Sequence, residues 1–170
     1  MRRLPLAAAA LVLALASPHA IRGDQGGDVF DLVGRTAPLF QLRLVTEDGV
    51  VALREAHGHV VVLLFLSSRC DPCRQEMPEI VALAKKHPEV AFIGVAIGSE
   101  DVPEEMRKFS REFAVEFPMA MGNEWMQKLF HTRSAPSTFI LDGKGVIANV
   151  IIGRATAEAI EDSIKSAEEK

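Results

Sequence analysis

The only two cysteines in the chain stand two residues apart, as Cys70-Asp71-Pro72-Cys73. One turn of helix brings thiols at this spacing close enough to bridge. An apolar run from Val60 to Leu66 leads into the pair, and Met77, Ile80, Val81 and Ala84 follow at three- and four-residue steps. Those two patterns predict a buried strand and then an amphipathic helix, with the cysteines at the junction. Pro72 suits a first helical turn, where the amide hydrogen it lacks would have had no partner. Unpaired amides and the helix dipole put partial positive charge there, which lowers a thiol pKa from ~8.5 to between about 3.5 and 7.5. Arg69 and Arg74 add to that pull and Asp71 opposes it. A strand followed by CxxC on a helix start is the arrangement of a dithiol that cycles with a disulfide.

Other uses of a cysteine pair fit less well. Haem attachment needs a histidine directly after the second cysteine, and Arg74 is there. A structural zinc site wants four ligands, yet there is no second CxxC and only the scattered His57, His59, His87 and His131 could complete one. A purely structural disulfide would close a loop too short to restrict the unfolded chain much.

The elements that must position the pair can be taken in order. Arg2 and Arg3, a short Ala/Leu/Val run and small residues at Ala14 and Ala16 predict a signal peptide over 1–16, or 1–20 if cleavage follows Ala20. The run falls well short of the ~20 residues a membrane span needs, so no stable membrane insertion is expected after cleavage. Export would place the pair where disulfides persist. Removal of Arg2 and Arg3 leaves 17 basic against 23 acidic residues, a formal charge of −6 that argues against nucleic acid or anionic membrane as a partner. About 150 residues remain, enough for one domain. Residues 21–33, rich in Gly and Asp, read as a flexible lead-in, and 34–170 as the folded domain.

That domain opens with alternating Phe40, Leu42 and Leu44, a turn at Glu47-Asp48-Gly49 and a return at Val50 to Leu53, predicting a hairpin over a sheet edge. After the Val60–Leu66 strand and its helix to about His87 come a second buried strand, Val90–Ile97, and a helix over Val102–Val115. The helix carries a Met106, Phe109, Phe113 stripe. A short strand over Phe117–Met121 precedes a helix over Asn123–Phe130, in which Trp125, Met126, Leu129 and Phe130 are expected in the core. Strands Ser137–Leu141 and Val146–Ile152 flank a turn at Asp142-Gly-Lys-Gly145, and a helix runs over Ala155–Glu169.

Phe65 to Pro78 resembles the active-site segment of the thioredoxin superfamily, and is most similar to extracytoplasmic TlpA/ResA-like thiol-disulfide oxidoreductases. The opening Gly34-Arg-Thr-Ala-Pro-Leu-Phe-Gln-Leu42 resembles the hairpin of that branch and of peroxiredoxins, and Ala135-Pro-Ser-Thr-Phe the family's cis-proline stretch. The resemblance covers residues 34–169. It implies an α/β thioredoxin-like fold, a central mixed β-sheet flanked by helices with an N-terminal β-hairpin extension. It also implies Cys70 as nucleophile, Cys73 as resolving thiol, Pro78 as the proline that kinks the first long helix, and Ala135 with a cis Pro136 as substrate-binding residues. Two positions depart from the pattern: Arg69 replaces a usual Trp on the rim, where it becomes a candidate substrate contact, and Leu64 replaces the buried acid of cytoplasmic thioredoxins. Glu76, three residues after Cys73, matches a functional glutamate of ResA-like proteins and becomes the candidate proton acceptor.

The expected activity is thiol-disulfide exchange with cysteine-containing exported proteins, as a periplasmic reductant fed by a membrane electron donor and serving cytochrome c or metalloprotein maturation. No cofactor and no metal are expected. Two other classes stay open. A peroxiredoxin-like peroxidase would use Cys70 as peroxidatic thiol with Ser67 three residues before it, although Leu63 stands where a proline is expected. A Sco-like copper chaperone would use Cys70, Cys73 and His131, although its usual spacing is CxxxC.

Overall fold

A computed structural model describes residues 27–45 and 48–169. The predicted signal peptide, residues 21–26 of the lead-in and Glu47 of the first turn lie outside the described residues. The core element is strand β3 (Val61–Leu66), all six residues of which are buried. Its continuous apolar sequence is explained by cover on both faces. Val62, Leu64 and Leu66 join one core cluster, while Val61, Leu63 and Phe65 join another. Each such side chain contributes about 1.5–3 kcal/mol of burial.

The first cluster is closed by helices α1 (Asp71–Lys86), α2 (Pro103–Glu112) and α4 (Ala157–Glu168), through Met77, Ile80, Met106, Phe109, Ile160 and Ile164. The second is closed by the hairpin of β1 (Gln41–Arg43) and β2 (Val50–Ala52) and by α3 (Glu124–Leu129). Phe130 packs there against Phe65, tilted, and Phe139, edge to face, with ring centroids 5.2 and 5.3 Å away. The remaining strands are β4 (Ala91–Ala96), β5 (Met119–Met121), β6 (Ser137–Leu141) and β7 (Ile147–Ile152), giving a sheet ordered β5-β4-β3-β6-β7. β4 runs parallel to β3 and β5, whereas β6 is antiparallel to β3 and β7. The sheet is mixed and flanked by helices, as expected.

Both sheet edges are met by the N-terminal segment. Leu44 bridges Ala120 and the Val45 amide donates to the Met119 carbonyl at 2.8 Å, so the hairpin covers the β5 edge. Thr36 bridges Val146 on the opposite edge. The end of the lead-in carries structure that its composition did not suggest: Val29–Leu32 form a 3₁₀ turn capped by Asp28, with Leu32 buried. Trp125 corrects the expectation of a core residue. It is 53% exposed, because a six-residue helix turns only one face to the sheet and Met126 takes it. Asn123 caps that helix as expected, accepting the Met126 amide at 3.0 Å.

Helix α1 begins at Asp71, two residues earlier than the apolar period suggests, because Cys70 itself occupies the cap. The helix runs through Pro78, which leaves the Arg74 carbonyl without its intrahelical donor.

Candidate active site

Cys70 caps α1 with a sulfur. Its Sγ accepts the Cys73 amide hydrogen at 3.2 Å, where Ser, Thr, Asp or Asn oxygens usually serve. The two cysteines are joined in a disulfide with their Cα atoms 5.2 Å apart. Cys73 is wholly buried, and Cys70 is half-buried at the open end of the helix. A thiolate formed at Cys70 would keep the Cys73 amide as a donor and the helix start as a source of positive potential.

The flanking arginines are less free than the sequence suggested. Arg69 lies exposed on the rim and pairs with Glu100. Arg74 pairs with Glu112 while its guanidinium lies over the rings of Phe113 and Phe109, 5.2 and 5.8 Å from their centroids. Each positive charge is therefore opposed by a carboxylate.

Glu76 is 2% exposed, not solvated. One turn beyond Cys73 on α1, its Oε2 accepts the Ala155 amide at 2.9 Å. Burial pushes its pKa up to about 7, against the opposing effects of that amide and of Arg154, with Glu79 adding a smaller upward push. Glu79 accepts the Ala157 amide at 3.1 Å and lies 3.9 Å from Arg154. Two carboxylates of α1 thus fasten the loop that leads into α4.

Ala135 and Pro136 precede β6, whose Ser137 pairs with Phe65 near the end of β3. That register puts them at the same end of the sheet as the turn carrying Cys70. The Ala135–Pro136 bond is cis, Pro136 is buried and Ala135 half-buried. The approach to β6 is tied down by Ser137, whose hydroxyl donates to the Ser134 carbonyl at 2.7 Å and accepts from Thr132 at 3.0 Å.

His131 is bonded elsewhere, its Nδ1 lying 3.4 Å from the Asp28 carbonyl. Among the described residues, no three His, Cys, Asp or Glu side chains are grouped so as to hold a metal ion. One polar residue at this end escaped the sequence reading. Asp101, in the loop between β4 and α2, is buried and accepts hydrogen bonds from Ser67 and Ser68. The sequence signal was an acid just past an apolar strand end, Gly98-Ser-Glu-Asp101, which most surface loops also show.

A mixed five-stranded sheet with a cysteine pair at the start of its first long helix defines a thioredoxin-like oxidoreductase. The AhpC/TSA family model matches residues 33–150, and the chain belongs to that family. It is 32% identical over 133 residues to the thioredoxin-like protein YneN of Bacillus subtilis (strain 168), covering 77% of this chain and 78% of that one. It is 30% identical over 138 residues to the thiol-disulfide oxidoreductase ResA of Geobacillus kaustophilus, covering 79% and 77%. A thiol:disulfide interchange protein of the thioredoxin family from Chlorobium tepidum TLS shares the fold, with a TM-score of 0.71 at 21% identity over 78% of this chain and 94% of that one. The chain is a thiol-disulfide oxidoreductase with its CxxC pair at Cys70 and Cys73.

Proposed function

We propose that the protein is exported and acts in the periplasm as a dithiol reductant of cysteine-containing partner proteins, including those that mature cytochrome c or metalloproteins, and is itself re-reduced by a membrane electron donor. In the reaction, the Cys70 thiolate attacks one sulfur of a partner disulfide, forming a mixed disulfide and releasing the other partner sulfur as thiolate. Cys73 gives its proton to Glu76 and attacks the Cys70 sulfur, which releases the second partner thiolate. The partner gains two electrons and the protein ends with its own disulfide. Glu76 suits proton acceptance because its pKa of about 7 lies near working pH. Ala135 and Pro136 are assigned to the partner's extended backbone, which can add beside them as a strand, and Arg69 to its flanking residues.

The observation that carries the reductant direction is the pairing of Arg69 and Arg74 with Glu100 and Glu112. Strong oxidants of this class stabilise their reduced form. Here the cations that would do so are neutralised, leaving the helix start and the Cys73 amide. The reduction potential of the Cys70/Cys73 pair tests the reading. A value near thioredoxin's ~−270 mV is expected, and one near ~−120 mV would reverse the direction of electron flow. Peroxide turnover exceeding disulfide reduction, or copper retained through purification, would replace the function altogether.

A further inference from the structure

We propose that Asp101 is a positioning residue for thiol exchange, bracing the turn that carries Cys70 through Ser68; the inference rests on the oxidoreductase reading above. The Asp101 carboxylate, 8% exposed, spends its acceptor capacity on two stretches of chain. Oδ1 takes the Ser68 hydroxyl at 2.6 Å, the Ser68 amide at 3.0 Å and the Ser67 hydroxyl at 3.2 Å. Oδ2 takes the Gly98 amide at 2.9 Å. Bonds to an ionised acceptor are roughly twice as strong as neutral ones, and burial strengthens them further.

Ser68 is held at its third polar group as well. Its carbonyl accepts from Arg74 Nη1 at 3.3 Å, and Arg74 is fixed by Glu112 and the Phe109 and Phe113 rings of α2 and its C-terminal cap. The amide and hydroxyl of this residue, two positions before the half-buried cysteine, are thus bound to the loop leading into α2, and its carbonyl to an α1 arginine that is itself anchored on α2. Residues 67–70 form no helix or strand of their own; among themselves they make the bonds Cys70 amide to Ser67 carbonyl at 3.2 Å and Arg69 amide to Ser67 hydroxyl at 3.4 Å. Gly98 belongs to the same fitting. A Cβ there would lie 2.4 Å from both Asp101 Oδ2 and Ser67 Oγ, so only glycine lets the carboxylate close on the turn.

The chemical consequence concerns the cysteine that must stay put when the disulfide opens. A thiolate at Cys70 is stabilised only while its sulfur remains beside the Cys73 amide, and Cys73 resolves a mixed disulfide only while that sulfur stays within reach. Loosening the turn raises the Cys70 pKa, slows both attacks and lowers the effective concentration of one thiol toward the other. A lower effective concentration makes the intramolecular disulfide easier to reduce, and this outweighs the raised Cys70 pKa, which acts in the opposite direction by destabilising the reduced form.

The test uses the whole protein with Asp101→Ala, Asp101→Asn and Ser68→Ala, and Glu105→Gln as a control on the exposed side of α2. Three quantities are read: the rate of Cys70 attack on dipyridyl disulfide against pH, the equilibrium constant with glutathione, and circular dichroism. Asp101→Ala should slow attack at least tenfold, raise the apparent Cys70 pKa and weaken the disulfide about tenfold against glutathione, or ~30 mV. Asn keeps the Ser68 acceptor but turns an amide group toward the Gly98 N–H, so it should recover part of each loss. Ser68→Ala, which keeps its backbone bond to Asp101, should change rate and equilibrium about threefold. If Asp101→Ala does not fold, Ser68→Ala decides. Folded variants with the parent's pH profile and glutathione constant overturn the proposal. The glutathione constant belongs to the pair in either direction of electron flow, so failure of the brace is distinguishable from failure of the reductant reading.

Discussion

Glu76 Oε2 accepts the Ala155 amide hydrogen at 2.9 Å, across 79 positions of sequence, one helical turn beyond the buried Cys73. The bond holds the carboxyl in the interior, and burial raises its pKa to about 7. A Gln at this position keeps an oxygen for Ala155 but cannot take a proton. Glu76→Gln should therefore slow resolution of the mixed disulfide by tenfold or more and remove a rate inflection near pH 7. Stopped-flow resolution rates between pH 5 and 9 check this, and a parental profile in the variant would remove Glu76 from the mechanism.

The same carboxyl gives the oxidised protein a pH-dependent stability of known sign. Its folded pKa lies above the ordinary 4.5, so the native state binds more protons than the unfolded state between about pH 4.5 and 7. Stability attributable to Glu76 falls as pH rises through that window and is level above it. Glu76→Gln escapes the loss, so the variant should gain about 3 kcal/mol on the parent between pH 4.5 and 8. Parallel urea titrations at the two pH values measure it; a constant difference would contradict the burial argument.

Much of this fold was legible because burial on both faces writes itself as an unbroken apolar run, as in Val61–Leu66. The helix ends were less so. Helix α2 stops at Glu112 because Ala114 takes φ 50° and the Val115 amide turns back to the Ser110 carbonyl, a choice no apolar period encodes. At the site, the cysteines announced themselves by spacing, whereas the state of Glu76 did not: a buried and a solvated helix glutamate have the same sequence until the loop at Ala155 folds over one of them. Asp101 was hidden for a related reason, its partners Ser67 and Ser68 being 34 and 33 positions away. The pairing of Arg69 and Arg74 likewise depends on Glu100 and Glu112, which only the packing of α2 brings near.

Trp125 and Phe130 looked alike in sequence and differ in the fold. Phe130 is fully buried among Phe40, Phe65 and Phe139, while Trp125 is 53% exposed. Phe130→Ala should cost about 3–5 kcal/mol, lowering Tm by some ~6–20 °C for a domain of this size. Trp125→Ala should stay within about 0.5 kcal/mol of the parent. Thermal unfolding of both variants decides, and equal losses would mean that α3 packs differently.

The unequal exposure of the cysteines predicts unequal roles. Cys70 is half-buried with its sulfur at the helix start, accepting the Cys73 amide, and Cys73 is wholly enclosed. A partner disulfide can reach the first sulfur more readily than the second, so first attack is expected at Cys70. With Cys73→Ser, attack should still occur with nothing to resolve it, so the mixed disulfide should accumulate with partner proteins. With Cys70→Ser, the enclosed Cys73 should trap little and alkylate slowly, at least tenfold below Cys70 in the reduced parent. Non-reducing electrophoresis of each variant recovered from its own host, with iodoacetamide labelling rates, measures both effects. Equal trapping by the two variants would assign attack to neither cysteine in particular and would leave the buried position of Cys73 without a mechanistic role.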